Sequence, residues 1–107
     1  MCNSAAGLTS VLIIVDPTLS PPNQISPKDC YVKKGTQMIW REQHNTPFRL
    51  EFVEAPGNGT QKIFPSTENH GVQEVPITAR NVNARKWRNY EVYVGTTRLD
   101  PAVIIDP

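Results

Sequence analysis

No stretch of this 107-residue chain approaches the roughly 18 consecutive apolar residues that a membrane-spanning helix requires. Its longest apolar run, Val11 to Val15, is stopped by Ser10 on one side and Asp16 on the other. Neither sign of charge is in excess: 11 Lys and Arg stand against 10 Asp and Glu, a net charge of +1. No global field therefore exists to draw the chain onto nucleic acid or an acidic membrane. Cysteine is scarce, with Cys2 and Cys30 alone, and neither paired cysteines nor closely spaced histidines are present. That excludes the usual zinc patterns. Glycine is also sparse, and Gly57-Asn-Gly59 is turn chemistry with no helix after it, so no phosphate-binding loop is present.

Proline, in contrast, is plentiful at 10 residues, which favours many short elements over long helices. The length suits one domain with a single core. Met1 to Gly7 is small and polar and is expected to form a loose tail. Residues 8–107 are expected to form the domain. Leu8 to Val15 reads as a strand, and Asp16 to Gln24, with three prolines, as an irregular connection. Asp29 to Lys33 and Gln37 to Arg41 flank a Lys34-Gly35-Thr36 turn, with Cys30 and Val32, then Met38 and Trp40, facing inward.

Phe48 to Val53 alternates in the manner of a half-buried strand, with Phe48, Leu50 and Phe52 on one face. Ala55 to Thr60 is a turn, Gln61 to Phe64 a short strand, and Ser66 to Gly71 a polar loop. Val72 to Thr78 is a strand whose Pro76 suggests a sheet edge. Ala79 to Lys86 tempts a helical reading that Asn81 and Asn83 weaken. Trp87 to Val94 places Tyr90, Val92 and Val94 on one face, Gly95 to Pro101 turns the chain, and Ala102 to Ile105 is a last apolar strand. About seven or eight short strands predict an all-β sandwich or barrel.

Ile25-Ser-Pro-Lys-Asp-Cys-Tyr-Val-Lys-Lys-Gly-Thr-Gln-Met-Ile-Trp40, the loop to Pro47, and Tyr90-Glu-Val-Tyr-Val-Gly95 occur in this order. Together they resemble a cupredoxin over roughly Ser26 to Asp106. The resemblance implies a Greek-key β-sandwich in which the Pro47 loop lies beside the Gly95 to Pro101 loop at one end. A blue copper site needs a Cys thiolate, two His nitrogens and often a weak axial Met. The positions that match are Phe48 and Thr97 for the histidines, Val94 for the cysteine, and Asp100 or Pro101 for the methionine. The resemblance thus implies the scaffold without the copper ligands, and no electron transfer by blue copper.

The remaining histidines, His44 and His70, both fall in expected loops. They are either solvated side chains or, with Met38 or Cys30, an unconventional copper site. Cys30 reads as a thiol packed in the core, where it would be inert, so no nucleophile–base pair is expected and the chain is read as non-catalytic. Arg80, Arg85, Lys86 and Arg88 bracket Trp87, with no acid between Ala79 and Tyr90. The cluster is either a basic patch for an anionic surface or acidic protein, or a solvated edge with Trp87 in the core. Asn58-Gly-Thr60 matches a glycosylation sequon.

Met1 is followed by no basic or apolar leader segment. The chain is read as a mature exported protein, periplasmic or extracellular, because cupredoxin-like scaffolds usually are; cytoplasmic residence is the other reading. Cys2, followed by Asn-Ser-Ala-Ala-Gly, resembles the lipidated first residue of a bacterial lipoprotein, which implies a membrane tether. The expectation is a monomeric, copper-free binding or structural module, with Arg85, Lys86, Arg88, His44 and His70 as candidate binding residues. Its partner would be another protein or an anionic surface. The alternatives are a copper-binding protein using His44 and His70, and an immunoglobulin-like adhesion domain.

Overall fold

The period-2 patterning becomes twelve strands, and no helix among the described residues, in a computed structural model that describes residues 2–3, 10–19, 24–26, 29–99 and 101–107. Two mixed sheets pack as a sandwich. The smaller runs β3 (Ile25–Ser26), β2 (Ser10–Val15), β5 (Gln37–Glu42), β9 (Val72–Thr78), β8 (Thr67–Asn69). The larger runs β1 (Cys2–Asn3), β4 (Asp29–Lys33), β12 (Ala102–Asp106), β10 (Lys86–Val94), β6 (Arg49–Phe52), β7 (Ile63–Pro65), with β11 (Thr97–Leu99) beside the end of β10. Three pairings are parallel: β2 with β5, β12 with β4, and β1 with β4. The others are antiparallel.

Each sheet buries one face because successive side chains alternate across a strand. Register sets Ile13, Trp40 and Val75 in one row across β2, β5 and β9, all buried. The facing sheet supplies Val92 beside Leu50, and Tyr90 beside Phe52. Trp40 joins the two layers. It is fully buried, meets Phe52 and Tyr90 edge-on at 6.1 and 5.6 Å between centroids, and its Nε1 donates to the Tyr90 hydroxyl at 3.0 Å. Large apolar side chains buried in this way contribute about 1.5–3 kcal/mol each. Met38, Phe48, Leu50, Phe52, Val92 and Val94 are buried, as their alternation predicts.

Several elements depart from the sequence reading. Cys30 is buried, but as a disulfide-bonded residue and not a packed thiol. Cys2 and Asn3, expected in a loose tail, form β1, and Cys2 stands opposite Cys30 in the parallel register. Leu8 and Thr9, expected to open the first strand, lie outside the described residues. Trp87, read as a core residue in one of two alternatives, is 56% exposed. Arg88 takes the inward position and is 7% exposed. The cause is parity: Tyr90, Val92 and Val94 point in, so Arg88 does too, and Trp87 points out.

Two expected turns also pair as strands. Thr67 to Asn69 becomes β8, and Thr97 to Leu99 folds back on β10 through a two-residue turn at Gly95 and Thr96. Gly95 has φ of 60°, which a tight hairpin turn favours in glycine. Pro76 sits in β9 beyond the reach of β8, which covers only Val72 to Glu74. On that side β9 is locally an edge, where a missing N–H is tolerated.

Candidate functional site

One end of the sandwich gathers the Pro47 loop, the β8–β9 turn and the Gly95 hairpin. Tyr93 pairs with Arg49, and one step further along these strands stand Val94 and Phe48. Both are nearly sealed from solvent, at 7% and 4% exposure. Phe48 is pinned through its backbone: its N–H donates to Ser66 Oγ at 2.9 Å, and its carbonyl accepts the Ser66 N–H at 2.8 Å. Ser66 Oγ in turn donates to Gln73 Oε1 at 2.8 Å, and Gln73 Nε2 donates to Asn45 Oδ1 at 2.8 Å. A polar chain thus runs from the buried Phe48 backbone to the tip of the loop, where Asn45 adopts φ of 60°. Asparagine tolerates that left-handed conformation better than most residues.

Glu42, which the sequence reading counts with the exposed loop residues 42–46, organises the same loop from a buried position. Met38 and Trp40 point inward, so the next position of the same parity does as well, and the Glu42 side chain is fully buried. Its carboxylate accepts the backbone N–H of His44 through Oε1 and that of Thr46 through Oε2, the latter at 3.1 Å. A buried carboxylate without such donors would be costly. Glu42→Ala is expected to lower stability by about 1–3 kcal/mol, since two loop N–H groups lose their acceptor. Urea unfolding at neutral pH measures this. An unchanged midpoint would show that solvent replaces the carboxylate at no cost.

The two histidines lie at this end of the smaller sheet but in different surroundings. His44 is 56% exposed, with Nδ1 3.6 Å from the Glu42 carboxylate. Its field also reaches Asp16, whose carboxyl is held below the usual range chiefly by hydrogen bonds from the Thr18 hydroxyl and N–H. His70 is exposed, with φ of 53°, and lines a cleft with Arg41, Asn69 and Glu74. Glu74 is committed there: Asn69 donates to it at 2.8 Å and Arg41 at 2.6 Å, and these bonds depress its pKa. Neither Met38, buried in the core, nor the disulfide-bonded Cys30 offers itself to the histidines as a soft ligand. Among the described residues, no group of three or more His, Cys, Asp or Glu could hold a metal ion.

The other positions matched by the resemblance differ from one another. Thr97 is exposed on β11, Pro101 is buried, and Asp100 lies outside the described residues.

The basic segment lies at the opposite end, where β10 begins. Its members do not form one patch. Arg85 is exposed with its guanidinium 5.6 Å from the centre of the Tyr31 ring, and Lys86 is exposed. Arg88 is turned inward, donating to the Ala55 and Trp87 carbonyls at 3.2 Å each and pairing with Glu54 at 3.0 Å. Arg80, eight residues before Arg88 in the sequence, is drawn to the Ala55 to Thr60 loop, with Nη1 donating to the Gly57 and Gly59 carbonyls at 2.8 and 3.1 Å. Asn58 is exposed in that loop, and its Oδ1 accepts the Asn81 N–H at 2.8 Å. Compared with protein-family models, with curated proteins and with solved structures, the chain matches none.

Proposed function

We propose that this chain is a copper-free, non-catalytic binding module on a cupredoxin-like scaffold, working in an oxidising, extracytoplasmic compartment. The observation that carries the reading is the filling of the loop end by Phe48 and Val94. These are the positions matching a histidine and the cysteine of a copper site, and both are buried and apolar. Strand pairing supports the scaffold. The Pro47 loop and the Gly95 hairpin share one end, as the cupredoxin order requires. Parallel pairings in both sheets also weigh against an immunoglobulin-like domain, whose two sheets are antiparallel.

The disulfide at Cys30 supports the compartment, because such bonds persist where thiols are not kept reduced. With two cysteines in the chain and Cys2 opposite Cys30 in register, pairing is favoured over a lipid on Cys2. The binding surface on this reading is the tied loop pair, residues 43–46 and 66–71. Its fixed backbone lowers the ordering cost of engaging a protein partner.

The test is titration of the purified protein with Cu(II), and with Cu(I) under anaerobic conditions, read by calorimetry and optical absorption. The expected result is no stoichiometric binding and no thiolate charge-transfer band. Stoichiometric binding that disappears in His44→Ala or His70→Ala overturns the copper-free reading.

A further inference from the structure

At the end of the sandwich away from the Pro47 loop, a cleft of about 470 Å³ opens between the Ala55 to Thr60 loop and the start of β10. Lys62, Arg80 and Arg88 line it together with one acid, Glu54, and the Thr60 side of the loop. Three cations against one carboxylate leave the cleft with a surplus of two positive charges. On a chain whose net charge is +1, that is a local concentration and not a reflection of overall composition.

The cations are held in a way that leaves their charge available. Arg80 is positioned by the Gly57 and Gly59 carbonyls, which are neutral, and it uses only Nη1 to reach them. Among the described residues, neither Arg80 nor Lys62 has an ion-pair partner. Arg88 has its side chain 8% exposed, and two of its three partners are backbone carbonyls. Its third partner, Glu54, is 68% exposed and so can swing away. Arg80, anchored by carbonyls and without a carboxylate partner among the described residues, is oriented without being neutralised. Guanidinium groups also present paired donors that fit tetrahedral oxyanions.

The loop that anchors them is itself fixed. The Arg80 N–H donates to the Pro56 carbonyl and the Asn81 N–H to Asn58 Oδ1, each at 2.8 Å. Pro56 is fully buried, and a Cβ at Gly57 would meet the Thr78 carbonyl at 3.5 Å, so the loop lies close on the end of β9. Little ordering remains to be done when a ligand arrives.

We infer that this cleft binds a phosphate group, free or carried on a lipid headgroup, with Arg80 and Arg88 as paired donors and Lys62 as a point charge. The inference does not depend on the copper-free reading, since it concerns the opposite end of the molecule. Amide shifts of the labelled protein are followed during titration with inorganic phosphate at constant ionic strength. In parallel, sedimentation is measured with phosphatidylcholine vesicles with and without phosphatidic acid.

The expected result is a saturable response centred on Gly59, Thr60 and Arg80. Lys62→Gln is expected to weaken binding several-fold, and Arg80→Gln about tenfold, as loss of one charge-assisted contact implies. Glu54→Gln, which removes the competing carboxylate, is expected to tighten it about threefold. A merely structural role for these side chains would not give that gain, and Lys62 is exposed, so its variant tests the proposal even if Arg80→Gln folds poorly. Arg98→Gln, on the distant hairpin, is the charge-matched control and should change nothing. Saturable binding of phosphate alone assigns the site to a free anion, and binding only to phosphatidic acid vesicles assigns it to a headgroup. A response that never saturates, or one equally reduced by Arg98→Gln, means diffuse charge and overturns the inference, as does no binding in either arm.

Discussion

Trp40→Ala is expected to cost about 3–5 kcal/mol, the range for deleting a large aromatic side chain from a packed core. Trp40 has no exposed surface, lies in the middle row of the smaller sheet, and contacts the facing sheet through Phe52 and Tyr90. Since a domain of this kind is stable by about 5–15 kcal/mol, the variant would be close to unfolding at body temperature. Urea denaturation followed by far-ultraviolet circular dichroism checks it. A loss below about 1 kcal/mol would mean that the two sheets close over the gap, which packing at normal density resists.

The hydrogen bond within that cluster can be separated from the packing. Trp40→Phe retains an aromatic ring but removes the Nε1 donor, and Tyr90→Phe removes the hydroxyl it serves. Leaving one partner buried and unpaired costs more than removing both, so the double variant should lose less than the sum of the two singles. Tyr90 also sets an alkaline limit. Burial raises its pKa above the usual 10, with a smaller push from Asp29 opposed by the Trp40 bond. The neutral phenol is kept in the fold, while the unfolded chain can release the proton. Its contribution to stability is therefore present below about pH 10 and lost as the pH rises beyond that value. Tyr90→Phe should flatten this alkaline fall in stability between about pH 10 and 11 relative to the parent protein.

The same strands show how far residue pattern carries and where it stops. Alternation placed Met38, Trp40, Phe48, Leu50, Phe52, Tyr90, Val92 and Val94 inside, and all eight are buried. Parity extended two residues further would have found Glu42 and Arg88 inside as well. Residue type argues against that extension, because charged side chains are seldom buried unless paired. Both are paired here, Glu42 with two loop N–H groups and Arg88 with two carbonyls and Glu54. Those partners come from turns, and turn geometry is not written in a period-2 pattern. Trp87 is the complementary case: its size suggests the core, while its parity puts it outside, on the face opposite Arg88.

Long-range neighbours were the least legible part. Gln73, Ser66 and Asn45 form one polar chain although they are spread over 28 residues, because β5 and β9 are partners in the smaller sheet. The cleft cations are similar. Arg80 and Arg88 were visible as a basic run, but Lys62 and the neutral carbonyls that hold Arg80 belong to the other side of a turn. Local sequence shows which residues carry charge. Only the closure of the sandwich decides which charges converge.

Cys30 offers the second large effect. Its place in β4 is fully buried, next to Val103 in the parallel register with β12, and the residue is disulfide-bonded. A cross-link of this kind restricts the unfolded ensemble, and removing a native one from a small domain costs about 2–5 kcal/mol. Cys30→Ala should lie toward the upper part of that range, because the lost sulfur adds a small void to lost constraint. Reduction of the unmodified protein should reproduce most of the effect without the void, and it should also release β1, whose two residues have only β4 as a partner among the described residues. Thermal unfolding with and without reductant, together with hydrogen exchange at Tyr31, separates the two contributions. Equal melting temperatures in both conditions would mean that β1 and the cross-link add nothing to the sandwich.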